Sequence, residues 1–426
     1  MIRATAVEPI DRPGDTAPYP RDHAGPQEAE HAMTRHHRSI ASIAIFVGAF
    51  VASGPAAATA ALPAPAANAA TPLPSAPPLE SGFGTLPTGP LDSTRSATLQ
   101  ALLDDFVTHG APDVMAAVIT PDGIWSGAAG VSGPDGRPVT PDAEFAIASI
   151  TKTFMATLIM RLVEQGRMDL DAPLASYLGD VQADTNGATI RQALAMRAGL
   201  ADTAAGVNDL TAADPLHIWT PEEIIATFDP PIAAAGAMSQ HSNPTWKLLG
   251  MAAEHVTGKS LAAAMRAELL DPVGADRVLL QGPEAVTPKP WALPMVGHMG
   301  DLDPSLLGQG DALPFLASAS YSAGAAGMAS DAPSLAKWAW HLFAGDIINA
   351  GSLGVISDSR LSDGMGLYQI FDYPGFTTYG YDGGTRGYGS KLIASMDRPA
   401  VVVVLVNDLD TDPSVVAGQL LDAATK

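Results

Sequence analysis

The sequence contains no cysteine. That absence excludes disulfides, thiolate metal sites, iron–sulfur clusters, a cysteine nucleophile and the acylated N-terminal cysteine of a lipoprotein. Basic residues are scarce: 23 Lys and Arg stand against 45 Asp and Glu, a formal net charge of −22. A protein that neutralises phosphates needs a basic face, so nucleic acid is not an expected partner. An anionic membrane surface is disfavoured on the same ground. Charge of either sign is sparse, at 16% of 426 residues against 47% hydrophobic, which excludes a wholly disordered chain. Long apolar runs are lacking as well. Residues 40–52 form the main one, short of the roughly 18–20 residues that span a bilayer. Also absent are G-x-S-x-G, H-E-x-x-H and a Gly-rich loop ending in Lys-Ser or Lys-Thr. The nucleophile elbow of α/β-hydrolases, a zinc peptidase and a P-loop therefore have no support.

What is present divides along the chain. Residues 1–32 are polar and aperiodic, and are expected to be an over-extended N-terminus with Met33 as the natural start. Arg35, His36, His37 and Arg38 then precede the apolar run, and small residues such as Ala58-Thr59-Ala60 follow it. This is the order of a secretory signal peptide, assigned to 33–60; an uncleaved anchor is the competing reading. Residues 61–92 are rich in Pro and Ala and are expected to be a linker. The folded unit is placed at 93–426. It opens on a helix with Leu99, Leu102, Leu103 and Phe106 at helical spacing. Residues 114–119 and 124–131 read as strands joined at Pro121-Asp122-Gly123. A helix is expected from Ser149 to Gln165, with Gly166 as its stop. Residues 170–345 read mostly as helical patches between loops. Near the end, 390–395 and 400–406 read as strands and 415–424 as a closing helix. Strands at both ends imply one sheet built from both termini, with a helical lobe inserted between them.

The chemistry centres on S-x-x-K at Ser149-Ile150-Thr151-Lys152. A serine hydroxyl is a weak nucleophile until a base takes its proton. On a helix, positions i and i+3 share a face, so Lys152 can reach the Ser149 hydroxyl. Buried in an apolar pocket, a lysine loses affinity for its proton and becomes that base. The tetrapeptide is short, and a second copy occurs at Ser334-Leu335-Ala336-Lys337. There, Asp331-Ala332-Pro333 looks like the start of a helix, so Ser334 is read as part of a helix cap and Lys337 as a surface residue. Trp219, Trp246, Trp291, Trp338 and Trp340 are read as core or cleft wall. His217, His255, His298 and His341 are scattered, and neither metal nor cofactor is expected.

The surroundings of Ser149 carry a family resemblance. Residues 145–154 (FAIASITKTF), running into 162–174 (LVEQGRMDLDAPL), resemble the first motif region of the penicillin-recognising serine hydrolases: D-alanyl-D-alanine carboxypeptidases, class C β-lactamases and related esterases. Arg197-Ala198-Gly199-Leu200 resembles their next loop, usually His-x-Ser-Gly-Leu. His241-Ser242-Asn243 resembles the second motif, usually Tyr-Ser-Asn. Residues 380–388 (GYDGGTRGY) resemble the third, usually His-x-Gly or Lys-Thr-Gly. The resemblance covers about 95–426, with all three motifs in order.

It implies an α/β fold of the α+β type, an antiparallel sheet flanked by terminal helices plus an all-helical lobe, with a cleft between them. It implies Ser149 as acylated nucleophile, Lys152 as its base, and Asn243 as the residue that holds the substrate amide and orients Lys152. The N–H groups of Ser149 and Gly384 would form the oxyanion hole, with Gly383 and Gly384 letting a substrate approach the backbone. The usual Tyr of the second motif is His241, and the usual His or Lys of the third is Tyr381. Histidine titrates near 6.5 and tyrosine near about 10, so His241 is expected to shuttle protons to Ser149 and the leaving group while Tyr381 donates a hydrogen bond. Arg386 is expected to grip a substrate's terminal carboxylate.

The expected protein is a secreted, extracytoplasmic serine hydrolase, either free or retained at the cell envelope. It would act as a D-alanyl-D-alanine carboxypeptidase-like peptidase on peptidoglycan stem peptides. An esterase or β-lactamase on the same scaffold, or a penicillin-binding sensor without turnover, is the alternative. The expected partners are small peptide, amide or ester substrates, and a monomer is expected.

Overall fold

The computed structural model describes residues 76–133, 136–203, 206–284, 291–294, 316–358, 360–361 and 364–426. The expected N-terminal extension, the signal segment and the linker as far as residue 75 lie outside the described residues, as does His298.

In chain order the helices and strands are α1 (Ser93–Thr108), β1 (Asp113–Thr120), β2 (Gly123–Ser132), β3 (Arg137–Pro138), β4 (Phe145–Ala146), α2 (Thr151–Glu164), α3 (Ile190–Leu194), α4 (Val207–Ala213), α5 (Pro221–Ile225), α6 (Asn243–Thr257) and α7 (Leu261–Met265). Then come β5 (Leu279–Leu280), α8 (Leu316–Ala326), β6 (Met328–Ser330), α9 (Ala332–Ala344), α10 (Ala350–Ile356), β7 (Tyr368–Ile370), β8 (Thr378–Thr385), β9 (Tyr388–Ser395), β10 (Ala400–Val406) and α11 (Ser414–Thr425). The main sheet runs β3-β2-β1-β10-β9-β8-β7, and every adjacent pair is antiparallel. β1 and β10, from opposite ends of the described chain, meet at its centre, where Met115 pairs with Leu405 and Ile119 with Val401. A second, three-stranded sheet runs β4-β6-β5.

The central strands explain why the sequence lacks alternation there. β10 is AVVVVLV and is buried throughout. Successive side chains of a strand point to opposite faces. Met115, Ala117, Val401, Val403 and Leu405 join the large core that includes α2 and the helical lobe. Val114, Ala116, Val118, Val402 and Val404 join a second core with Leu99 and Leu103 of α1 and Leu420 and Leu421 of α11. Helices cover both faces, so both sets must be apolar. Gly123, at the β1–β2 turn, has φ +154°, and a Cβ there would lie 2.7 Å from the Pro90 backbone.

The helical reading of 149–165 shifts in detail. Residues Ala148–Ile150 form a 3₁₀ turn, and α2 begins at Thr151. Ten consecutive residues of α2, from Thr151 to Met160, are buried. Over those ten residues it is a core helix with no solvent face, and its last turn, with Arg161 and Glu164, reaches the surface. The C-terminal part of the expected linker is not free chain. The Phe83 ring lies 4.7 Å from that of Trp340 and 5.6 Å from that of Phe343. Leu79 N donates to Ala350 O at 3.0 Å, and Trp340 Nε1 donates to Gly84 O at 2.8 Å. The packed body therefore starts ahead of Ser93, because scattered apolar residues in a Pro-rich stretch find an aromatic surface on α9. Among the described residues no helix is long and apolar enough to cross a membrane.

Candidate active site

Ser149 sits on the short turn between β4 and α2. The turn is anchored at both sides: Ile147 N donates to Met328 O at 3.0 Å, and Met328 N donates to Thr151 Oγ1 at 3.1 Å. Ala148, fully buried before the serine, has φ +46°. A non-glycine residue in the left-handed region carries strain of about 1–2 kcal/mol, and such strain persists only where the surroundings over-determine it.

Lys152, on the first turn of α2, is completely buried. Its Nζ lies 2.9 Å from Ser149 Oγ, 2.9 Å from Asn243 Oδ1 and 3.0 Å from Ala325 O. Burial pushes its pKa down to about 7, against the opposing pull of Asp202 and Asp382. A neutral amine has two N–H groups. Asn243 Oδ1 and Ala325 O can accept only hydrogen bonds, so they take both, and the nitrogen lone pair is left facing the Ser149 hydroxyl. This is the arrangement of a general base.

Asn243 reaches Lys152 because α6 begins there. Ser242 caps the helix, its Oγ accepting from Thr245 N at 3.4 Å and donating to Ala201 O at 3.0 Å. Asp202 ties the same loop together. Its Oδ1 accepts from Asn243 N and from Thr203 N, both at 2.8 Å, and its Oδ2 lies 2.7 Å from His241 Nδ1. Burial works against its charge, but His241 and the backbone N–H groups prevail and hold the carboxyl at about 2. An ionised carboxylate only accepts, so His241 Nδ1 must carry the proton and Nε2 is the free acceptor of a neutral ring. Asp202 was not among the residues expected from sequence. Its link to His241 crosses 39 positions between two loops, and the only signal was its place just after the Arg197-Ala198-Gly199-Leu200 motif.

The third motif lies on β8. β7 pairs with β8 only from Thr378 to Gly380, so Tyr381 to Thr385 extend past the end of that neighbour. The turn carrying Ser149 packs against this strand. A Cβ on Gly383 would fall 2.8 Å from Ser149 N and 2.6 Å from Ile147 O, so only glycine allows the approach. Gly384 follows on the same stretch. Tyr381, two residues before Gly383, is buried in the large core, its ring 5.1 Å from that of Tyr368 in an edge contact. Arg386 sits in the β8–β9 hairpin turn, half-buried. The structure thus joins Ser149, Lys152 and Asn243 directly and sets Gly383 against the serine backbone. His241 is linked to them through Asp202, while Tyr381 and Arg386 lie outside the Lys152 hydrogen bonds. The second S-x-x-K is structural: Ser334 N donates to Asp331 Oδ1, the N-cap of α9, at 2.7 Å, and Lys337 is exposed. No group of three metal-ligating residues occurs among the described residues.

The chain is 27% identical over 332 residues to penicillin-binding protein 4 of Amycolatopsis lactamdurans, covering 70% of this chain and 81% of that one. It is 30% identical over 167 residues to the esterase/beta-lactamase LipL of Mycobacterium tuberculosis, a match over 39% of this chain and only 37% of the relative. Among solved structures, D-amino acid amidase from Ochrobactrum anthropi SV3 superposes with a TM-score of 0.65 at 23% identity, covering 78% of this chain and 99% of that one. The octameric penicillin-binding protein homologue from Pyrococcus abyssi gives 0.63 at 22%, covering 77% of each. At these identities the likeness is one of fold. A family model described as Beta-lactamase matches residues 99–425, from α1 through all three motif regions to α11, and the chain belongs to that family of serine hydrolases.

Proposed function

We propose that the protein is an exported amide hydrolase working through an acyl-Ser149 intermediate, with peptides ending in a free carboxylate as its preferred substrates, in the manner of a D-alanyl-D-alanine carboxypeptidase. The supporting observation is the buried Lys152 amine, 2.9 Å from Ser149 Oγ with both other bonds to carbonyl acceptors. In acylation, Lys152 takes the hydroxyl proton as Oγ bonds to the substrate carbonyl carbon. The oxyanion forms between the N–H groups of Ser149 and Gly384. The amide C–N bond breaks, and the amine leaves with the proton that Ser149 gave up, passed from Lys152 to the leaving nitrogen by way of His241 Nε2, the ring nitrogen that Asp202 leaves unprotonated. In deacylation, water replaces the amine, its oxygen bonds to the acyl carbon as the same groups take its proton, and that proton passes to Oγ as the C–Oγ bond breaks. Arg386, at the hairpin turn beyond Gly384, would receive the substrate carboxylate.

An esterase reading draws support from a relative named for that activity. Ester and amide share the acylation step and differ in how far the leaving group needs its proton. The deciding experiment labels the protein with a fluorescent penicillin or fluorophosphonate, with Ser149→Ala as control. A panel of D-Ala-D-Ala peptide, p-nitrophenyl ester and cephalosporin then follows. Ser149-dependent labelling with fastest turnover of the peptide is expected. Labelling without release points to a penicillin-binding sensor, and no labelling removes the hydrolase. Loss of preference for free-carboxylate peptides in Arg386→Ala supports the assigned grip. A His241→Ala variant that acylates and turns over at full rate rules out the shuttle.

A further inference from the structure

One turn along α6 from Asn243, Lys247 is 2% exposed, and its Nζ has no hydrogen-bond partner. The ammonium lies 3.3 Å from the centroid of the Tyr321 ring on α8. A ring face offsets part of the lost hydration of a cation, but it leaves three N–H donors without an acceptor. Lysine stems are long enough to carry the charge to solvent where nothing holds it inside, and this one does not.

Lys247 lines a cavity of about 140 Å³ in the helical lobe. Two other residues that line it also carry a buried polar atom without a partner: Trp219 its Nε1, a donor, and Gln281 its Oε1, an acceptor. Glu254 also faces the cavity, one oxygen accepting from Leu261 N at 2.8 Å, and burial raises its pKa. The remaining wall is largely apolar, including Ile224 and Met251. Three residues lining one cavity, each with an unpaired buried polar atom, depart from the rule that buried polar groups are paired.

We propose that this cavity is a binding site for a small apolar monocarboxylate, with the carboxylate on Lys247 Nζ and Trp219 Nε1 and the hydrocarbon body against Ile224 and Met251. The size fits an aromatic ring: a cavity of about 150 Å³ accepts benzene. A cation with a second N–H donor selects an anionic head, and a carboxylate matches two donors where a neutral ligand would leave the ammonium uncompensated. Gln281 Oε1 is left for a water or for a donor carried by the ligand. The site shares α6 with the catalytic centre but uses none of the atoms that contact Ser149, so it stands or falls independently of the acyl-serine mechanism.

The test is calorimetric titration of the full chain with benzoate, with benzyl alcohol as the neutral counterpart. Saturable one-site binding of benzoate is expected, at least about tenfold tighter than benzyl alcohol. Ser149→Ala should bind benzoate as the parent does. Lys247→Met should bind it at least about tenfold more weakly, and Trp219→Phe several-fold more weakly, with thermal melting confirming that each is folded. A reading that needs no variant is the proton balance at about pH 8. Burial holds the free Lys247 near 7, so a bound carboxylate should draw up most of one proton there. The other titratable groups around Lys247 are Glu254 on its own helix, Tyr321 on α8, and Lys152 and Asp202 farther off. No saturable binding up to about 10 mM means the cavity holds only water, and overturns the proposal. So does equal binding by Lys247→Met, binding lost in Ser149→Ala, or binding without proton uptake.

Discussion

Lys152 and Lys247 lie on neighbouring core helices, both are buried, and burial pushes both to about 7. They differ in what they touch. Lys152 has a hydroxyl and two carbonyl oxygens around its nitrogen. Lys247 has an aromatic face and no acceptor at all. Burial alone therefore makes a weakly held proton, and it takes the placed acceptors to aim the lone pair at a nucleophile. The comparison separates a group whose burial serves a reaction from one whose burial leaves an unmet demand.

The sharpest break in the comparison is removal of the aimed amine. Lys152→Met should slow acylation of Ser149 by about 10²–10⁴-fold, the usual worth of a general base, as read from the rate of fluorophosphonate labelling on folded protein. Retained labelling would mean that another group takes the hydroxyl proton. Gly383→Ala attacks the same centre from the strand. Its methyl group would sit 2.6–2.8 Å from Ile147 O, Ser390 Oγ and Ser149 N, so strand and turn must part. Acylation should fall about 10²-fold, as when an oxyanion donor is misplaced. Wild-type labelling rates in Gly383→Ala would show that β8 does not set the position of the serine.

The sequence made half of this comparison visible. Ser149 and Lys152 were legible because three motifs recur in order, and the central strands because β10 is a run of Val and Leu. Asp202 was not, since its contacts to His241 and Asn243 bridge about forty positions, a distance over which no periodicity carries. Ala325 O was beyond reach for a plainer reason: a backbone carbonyl has no letter of its own. Most of β8 also escaped, because its sequence TYGYDGGT holds three glycines, which read as loop; of these, Gly383 lets the Ser149 turn come close, while Gly380 lies against the Leu392 backbone and Gly384 against the Leu409 side chain. Lys247 shows the limit most clearly. A lysine on a helix reads as a solvent-facing residue, as Lys337 in the second S-x-x-K is, and the packing of Tyr321 and Phe228 around it reverses that.

The pH dependence of acylation gives a finer cut. Lys152 must be neutral to act, so kcat/KM for acylation should rise with pH through about 7 and then level off. Asp382, exposed on β8, favours the charged form of Lys152. Removing its charge in Asp382→Asn makes the proton easier to lose, so the midpoint should move to lower pH by a fraction of a unit. A stopped-flow profile of a chromogenic ester across that range checks both the midpoint and the direction. A shift upward would mean that a different group titrates.

The smallest effect concerns Lys247 and the stability of the fold. Its folded pKa of about 7 lies below the value of 10.5 for a free lysine. Between those two values the unfolded chain binds a proton that the folded chain does not. Stability linked to this group therefore increases as pH rises, with the penalty complete below about 7 and gone above about 10.5. Glu144, buried and raised to about 9, works the other way: its contribution diminishes as pH rises from the ordinary carboxylate range toward 9. The total slope is thus a mixture, and the informative quantity is the difference between variants. Lys247→Met keeps the length of the side chain and replaces the cation over Tyr321 by a sulfur–ring contact. It should be more stable than the parent by about 1–3 kcal/mol near neutrality, the cost of a buried polar group without partners, and the gain should shrink steadily toward pH 9.5. Urea melts at several pH values measure both. A gain that does not depend on pH would place the charge of Lys247 elsewhere than in the folded core. A gain that does would show that the native lysine is held in the core at the expense of stability, which a side chain with a ligand to bind has reason to be and a packing residue does not.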